Sequence, residues 1–201
     1  MINQNSSSEQ TIKRLEQAEH LKILGKYQEA LDILEKLLLE DPENVSALEE
    51  IADNELGLEH FNRAEAAAIQ AIGLDRKSYT GHYILGFLNM RKEEWGKGIE
   101  RFKTANKLKI NNPEILRCLG WTLFNDGKKA QGIVTLERSL NLDNENLLTL
   151  CDLGVAYLQT GNMIKSKNLF QKALEIDPCN ERVKHCVQAV ERYERTVKKI
   201  I

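Results

Sequence analysis

The sequence contains little proline and glycine, with 3 and 12 of these residues among 201. A fold built from short strands needs frequent turns, and turns use these two residues, so their scarcity argues against an all-β protein. Leu, Ala, Glu and Lys are abundant, and all four favour helices. The composition therefore predicts an all-α fold.

The chain also lacks a strong charge of either sign, with 28 basic and 30 acidic residues and a net charge of −2. We therefore expect neither nucleic acid nor an anionic membrane surface as a partner. No stretch approaches the 18 apolar residues of a membrane span. The polar start, MINQNSSSEQ, has no apolar core of a secretion signal. These features favour a cytoplasmic location.

Cysteine is sparse and lies in the second half of the chain, without a CxxC motif. The four cysteines are Cys118, Cys151, Cys179 and Cys186. This distribution favours reduced thiols in a cytosol over a disulfide framework.

A 34-residue internal repeat organises the chain. LEKLLLEDPEN, at 34–44, is echoed by FQKALEIDPCN at 170–180, which begins four periods of the repeat further along. Five windows follow one another without a gap: 11–44, 45–78, 79–112, 113–146 and 147–180. Each window ends on a residue suited to cap the next helix, namely Asn44, Ser78, Asn112, Asn146 and Asn180.

Small and large residues recur in register within these windows. One row is small: Ala18, Ala52, Gly86, Gly120 and Gly154. Another is mostly large and apolar: Leu34, Ala68, Phe102, Leu136 and Phe170. A small side chain lets two helices approach, and a large one fills the space beside it. A break falls midway through each window, near Gly25, Glu59, Glu93, Gly127 and Gly161. Each window therefore predicts two helices joined by a tight turn.

At these residues the chain resembles the tetratricopeptide repeat family. The fifth window carries LCDLGVAY, followed by Ser166, Phe170, Ala173 and Pro178, and the first carries GKYQEAL. The second window departs most, with Arg76 where proline is usual. The resemblance implies an all-α solenoid of stacked helix-turn-helix hairpins in a superhelical array. Residues 1–10 are expected to form a disordered tail and residues 181–201 a capping helix.

The resemblance also implies that the first helix of each pair lines a concave groove that binds a peptide or helix of another protein. Its acidic end comprises Glu16, Glu19, Glu49, Glu50 and Asp53. Its apolar part comprises Tyr83, Phe87, Met90, Trp121, Phe124 and Leu158. We expect a ligand with an apolar segment flanked by Lys or Arg. Two alternatives stay open: the aromatic residues are core, or the acidic residues are merely solvated surface.

Catalysis and metal binding are not predicted. No histidine lies in a recognisable motif, and no glycine-rich phosphate loop is present, so we expect no enzyme and no cofactor. Cys118, Cys151, His185 and Cys186 fall on neighbouring rows of the implied groove and are of types that bind zinc. They come from three separate helices, however, and small half-buried side chains are the simpler interpretation.

Some family members hold the C-terminal carboxylate of a chaperone with a clamp of Lys, Asn and Arg residues. The corresponding positions here are Leu15, Glu19, Glu50, Thr80 and Ile84, so we predict no such clamp. The leading hypothesis is a protein-binding adaptor, assembly factor or chaperone. The alternative is a scaffold that self-associates through its ends or concave face, suggested by Val197, Ile200 and Ile201.

Overall fold

Eleven helices make up residues 2–197, the part of the chain that the computed structural model describes, and no strand occurs there. The helices are α1 (Ile2–Ile23), α2 (Tyr27–Glu40), α3 (Val45–Gly57), α4 (Phe61–Leu74), α5 (Tyr79–Arg91), α6 (Trp95–Leu108), α7 (Pro113–Asn125), α8 (Lys129–Leu142), α9 (Leu147–Gln159), α10 (Met163–Ile176) and α11 (Glu181–Val197).

Consecutive helices pack as five hairpins, and α11 packs against α10 and α9. The chain divides into two compact units between Leu108 and Lys109. Unit 1 contains α1–α6, and unit 2 contains α7–α11. The all-α fold of tandem helical hairpins predicted from the sequence is confirmed.

The residues predicted to cap helices do so. In each case the side-chain oxygen accepts a hydrogen bond from the backbone N–H three residues later, at 3.0–3.1 Å. The caps are Asn44, Ser78, Asn112, Asn146 and Asn180. Each cap satisfies one of the free amides of the first helical turn and so sets where that helix begins.

Each hairpin turn contains one residue with a left-handed backbone conformation. These residues are Gly25, Glu59, Glu93, Gly127 and Gly161, with φ between 57° and 84°. They are the residues at which the sequence pattern breaks. Glycine takes this conformation freely, whereas a glutamate there carries a steric cost.

Close packing of a glycine against a large side chain holds the two helices of a hairpin together. A Cβ atom at Gly86 would lie 2.9 Å from the ring of Phe102, and one at Gly154 would lie 2.7 Å from that of Phe170. Both phenylalanines are fully buried. The small and large rows of the sequence therefore meet inside the hairpins.

Each unit has a tight layer and a wider layer of helices. In unit 1, α3 contacts both α1 and α5, and in unit 2, α9 contacts both α7 and α11. The second helices are instead separated by clefts, one of about 470 Å³ beside α4 and α6 and one of about 490 Å³ beside α8 and α10. We call the first helices the inner layer of each unit, since their closer spacing places them on its concave side.

The N-terminal boundary differs from the prediction, whereas the capping helix begins at Glu181 as predicted. Helix α1 begins at Ile2, so residues 2–10 belong to the first helix rather than to a disordered tail. They contain neither proline nor glycine, so nothing local stops the helical hydrogen bonds from continuing to Ile2. Helix α11 buries Val183 and Val190 in the core of unit 2. The remainder of the predicted capping helix, 198–201, lies outside the described residues.

Changing Gly120 to alanine tests the packing inside a hairpin. A Cβ there would lie 2.8 Å from Leu136 Cγ and 2.9 Å from its backbone nitrogen, so the helices must separate. We expect Gly120→Ala to lower the free energy of unfolding by about 1–3 kcal/mol in urea denaturation. In the control, Gly73→Ala, the new Cβ meets nothing within 4 Å. That change should be neutral or stabilise by up to about 1 kcal/mol. Equal losses in both variants would contradict the packing.

A buried histidine makes unit 1 sensitive to acid. His82 is 9% exposed, and its Nδ1 atom lies 3.3 Å from the Arg101 guanidinium. Burial and then the charge of Arg101 lower the pKa of His82 below its ordinary value of 6.5, although a hydrogen bond to the Arg76 backbone acts in the opposite direction. The native state therefore binds a proton less readily than the unfolded chain does.

Stability should consequently fall as the pH drops below about 6.5, because the unfolded state takes up the proton first. The His82→Gln variant should lose less stability than the wild type between neutral pH and pH 5. The difference should be about 1.4 kcal/mol for each unit by which the pKa is lowered. Urea denaturation across this pH range measures the difference, and parallel curves for the two proteins would contradict the assignment.

Candidate functional site

The predicted site residues of unit 1 all lie on its inner layer. On α1, Glu16 and Glu19 are exposed. On α3 and α5 the predicted residues are half-buried: Glu49, Glu50, Asp53, Tyr83, Phe87 and Met90. Since α3 packs against both neighbours, the acidic and the aromatic residues share one surface, which we call the unit 1 inner face.

A lysine that was not predicted joins the acidic part of this face. The Lys22 ammonium on α1 lies 2.8 Å from both Glu50 Oε2 and Asp53 Oδ2 on α3. Burial acts to lower the pKa of Lys22, but the two carboxylates outweigh it and raise that pKa above its ordinary value. The face therefore keeps a negative charge, although it is less acidic than the sequence alone suggests.

Glu49 has a structural partner as well. Its carboxylate accepts a hydrogen bond of 2.6 Å from the hydroxyl of Ser78, the residue that caps α5. This bond ties α3 to the start of α5, the helix that carries Tyr83 and Phe87. Exposed negative charge on the unit 1 inner face is thus greatest at Glu16 and Glu19.

The aromatic part of the face is anchored in the core. The Tyr83 ring packs against buried Phe102, with centroids 6.0 Å apart, and keeps partial exposure on its other side. Phe87 occupies the same position of the 34-residue repeat as Glu19 and Asp53. One row of the inner face therefore changes from acidic to aromatic within unit 1.

In unit 2 the structure separates the predicted residues into surface and core. Trp121 is half-buried and stacks on Phe124, with centroids 6.1 Å apart and an angle of 12° between the rings. Phe124 is only 3% exposed and packs with Leu136 and Tyr157, so its assignment to a binding groove is wrong. Leu158 is half-buried against the core beside α11. Trp121 and Leu158 remain on the inner layer of unit 2.

A hydrogen-bond network around Arg117, on the inner layer of unit 2, was also not predicted from the sequence. The Arg117 guanidinium donates hydrogen bonds to Glu114 at 2.6 Å and 2.9 Å and to Asp152 at 2.7 Å. Burial raises the pKa of Asp152, although the charge of Arg117 acts in the opposite direction. The network ties α7 to α9. Nothing in the 34-residue pattern singled out this arginine.

The histidines and cysteines do not gather into a site. Among residues 2–197, no group of three or more His, Cys, Asp or Glu side chains is placed to hold a metal ion. Cys118 is buried and donates to Glu114 at 3.4 Å, whereas His185 is exposed. Within the same residues, no helix combines the length and the apolar character that a membrane span requires.

A buried carboxylate closes the turn between α3 and α4. The Glu55 side chain is fully buried, with one oxygen 2.8 Å from His60 Nδ1. Its other oxygen lies 2.9 Å from Arg63 Nε, a contact between charges that lacks the angle of a hydrogen bond. Glu55 occupies the register of Leu123 and Tyr157 in later windows. That mismatch is the sequence signal that would have revealed the cluster.

The comparisons with known proteins agree with this architecture. Residues 148–179 match the family model for the tetratricopeptide repeat. A thermophilic tetratricopeptide repeat protein of Thermus thermophilus has 19% identity and a TM-score of 0.74, over 90% of this chain and 98% of its own. The chain therefore carries one stretch that matches a tetratricopeptide repeat, and its tandem hairpins share the fold of that Thermus protein.

Two other solved structures share this fold. Pseudomonas aeruginosa pilF has 15% identity and a TM-score of 0.78, with 94% of this chain and 86% of its own covered. YrrB, described as having an unusual peptide-binding site, has 20% identity and a TM-score of 0.62, with 92% and 95% covered. Among curated proteins, none matches this sequence.

Removing the central lysine tests the electrostatics of the unit 1 inner face. Lys22→Ala leaves Glu50 and Asp53 partly buried beside each other without their cation. We expect the free energy of unfolding to fall by about 1–3 kcal/mol, measured by urea denaturation. The control is Lys13→Ala, since Lys13 is 69% exposed and pairs with exposed Glu9, and it should cost less than about 0.5 kcal/mol. Similar losses in both variants would show that Lys22 has no special role.

Proposed function

We propose that this chain is a tetratricopeptide repeat protein that acts as a non-catalytic interaction module. Its inner-layer helices bind an extended or helical segment of a partner protein, as in an adaptor, an assembly factor or a chaperone. The observation that carries the proposal is the row of Glu19, Asp53 and Phe87, which brings acidic and aromatic side chains to one accessible surface.

The chemistry of the inner layers indicates the kind of segment that fits. Half-exposed Phe87 and Met90 in unit 1, and Trp121 and Leu158 in unit 2, offer apolar area of the type that anchors protein interfaces. The exposed carboxylates of α1 favour a basic flank on the ligand. A segment bound on such a preformed surface is expected to have a Kd on the order of micromolar. The peptide-binding site named for YrrB gives the proposal support by analogy of fold.

Two alanine variants test the proposal. A partner is first captured with a photo-crosslinking residue in place of Phe87 or Trp121, and its affinity for the unmodified chain is then measured by calorimetry. We expect Phe87→Ala or Trp121→Ala to weaken binding at least about tenfold, because each removes a large apolar anchor.

The matched control is Leu39→Ala on the outer helix α2, where the side chain is 84% exposed. It removes an exposed apolar side chain away from the inner layer and should leave the affinity unchanged. Circular dichroism verifies that all three variants stay folded. A partner that binds Phe87→Ala and Trp121→Ala as tightly as the wild type would overturn the proposed function.

A further inference from the structure

Charge is distributed unevenly along the chain. Residues 1–78 contain 16 acidic and 8 basic residues, whereas residues 79–201 contain 14 acidic and 20 basic residues. The small total charge therefore conceals a negative first part and a positive second part. Two copies of such a chain attract each other when the first part of one faces the second part of the other.

Part of the excess negative charge of the first part lies on the unit 1 inner face. On the outer helix α2, Glu35 pairs with Arg63 at 2.8 Å and Glu40 pairs with Arg14 at 2.8 Å. On the inner face, the ammonium of Lys22 pairs with two of five carboxylates. The five belong to Glu16, Glu19, Glu49, Glu50 and Asp53. A docked cation therefore meets more carboxylates than cations on this face.

The chain itself carries a segment with the complementary chemistry. Residues 191–201, ERYERTVKKII, contain four basic and two acidic residues together with apolar ones. Lys198 and Lys199 are followed directly by Ile200 and Ile201. The segment thus runs from basic to apolar, as the unit 1 inner face runs from acidic on α3 to aromatic on α5.

The distance between the basic and the apolar residues of the segment also matches the distance between helices α3 and α5. Axes of adjacent packed helices lie about 8–10 Å apart. Three residues of extended chain cover about 10 Å. Lysines placed beside the carboxylates of α3, next to Glu16 and Glu19 on α1, therefore bring the two isoleucines towards Phe87 and Met90 on α5, where apolar side chains are half-exposed.

We propose that residues 198–201 of one copy dock on the unit 1 inner face of a second copy. This inference rests on the proposed function and names the ligand of that face as a segment of the same chain. Because the two contacting surfaces differ, the contact is head-to-tail, and a dimer held by one such contact keeps one free face and one free segment. Oligomers larger than dimers follow at high concentration.

The test measures the mass of the full chain by sedimentation velocity across a concentration series, at low and high ionic strength. The wild type should gain mass with concentration at low ionic strength and lose it at high ionic strength, because exposed charges are screened. Glu16→Lys with Glu19→Lys, and separately Lys198→Glu with Lys199→Glu, should each weaken association at least about tenfold, since attraction becomes repulsion.

Mixing these two double variants should restore a dimer. One of them supplies an intact basic segment and the other an intact acidic face. The matched control is Lys103→Glu with Lys107→Glu on exposed positions of the outer helix α6. It changes the net charge by the same amount as the C-terminal variant and should associate like the wild type.

A wild-type chain that stays monomeric at low ionic strength overturns the inference, as does equal weakening by the α6 control. The proposed function is judged separately. If the chain is monomeric but a captured partner is released by Phe87→Ala, partner binding stands and self-docking falls. If substitutions on the inner face affect neither process, both fall.

Discussion

The structure depends on close contact between a small residue on the first helix of a hairpin and a large one on the second. Gly86 against Phe102 and Gly154 against Phe170 leave no room for a Cβ atom. This contact recurs with the 34-residue period, so these hairpins have nearly the same internal geometry. Hairpins of one shape stack on one another, because no single pair of helices can bury its own apolar face.

That stacking creates the surface on which function is proposed. Within each unit, first helices contact the first helices of neighbouring hairpins, while second helices leave clefts between them. Side chains on the inner layers are therefore close enough to interact across helices, as Lys22 does with Glu50 and Arg117 with Asp152. These ion pairs connect hairpins and also determine how much charge each inner layer offers to a ligand.

Local features were predictable from the sequence because their physical cause is local. An asparagine that caps a helix and a glycine in a left-handed turn act within a few residues, so Asn112 and Gly127 lie where the 34-residue pattern places them. The N-terminal extent of α1 was not predictable in this way, since polar residues 2–10 contain neither a helix stop nor an apolar stripe.

Exposure on the inner layers depends on neighbours distant in sequence, so a shared register did not predict it. Met90 and Phe124 occupy equivalent positions, but Phe124 is covered by Trp121 and by the core of unit 2, whereas Met90 is half-exposed. Lys22 shares that register too, but only the packing of α1 against α3 places its ammonium 2.8 Å from the carboxylates of Glu50 and Asp53. Tertiary contacts thus decided which predicted site residues are available to a ligand.

The measurement that tests the central claim most directly is hydrogen–deuterium exchange of the full chain, free and with its bound ligand segment. The account predicts that binding slows exchange in α1, α3 and α5 of unit 1 and leaves the outer helices α2 and α4 unchanged. Protection confined to α2 and α4, with no change in the inner-layer helices, would contradict it.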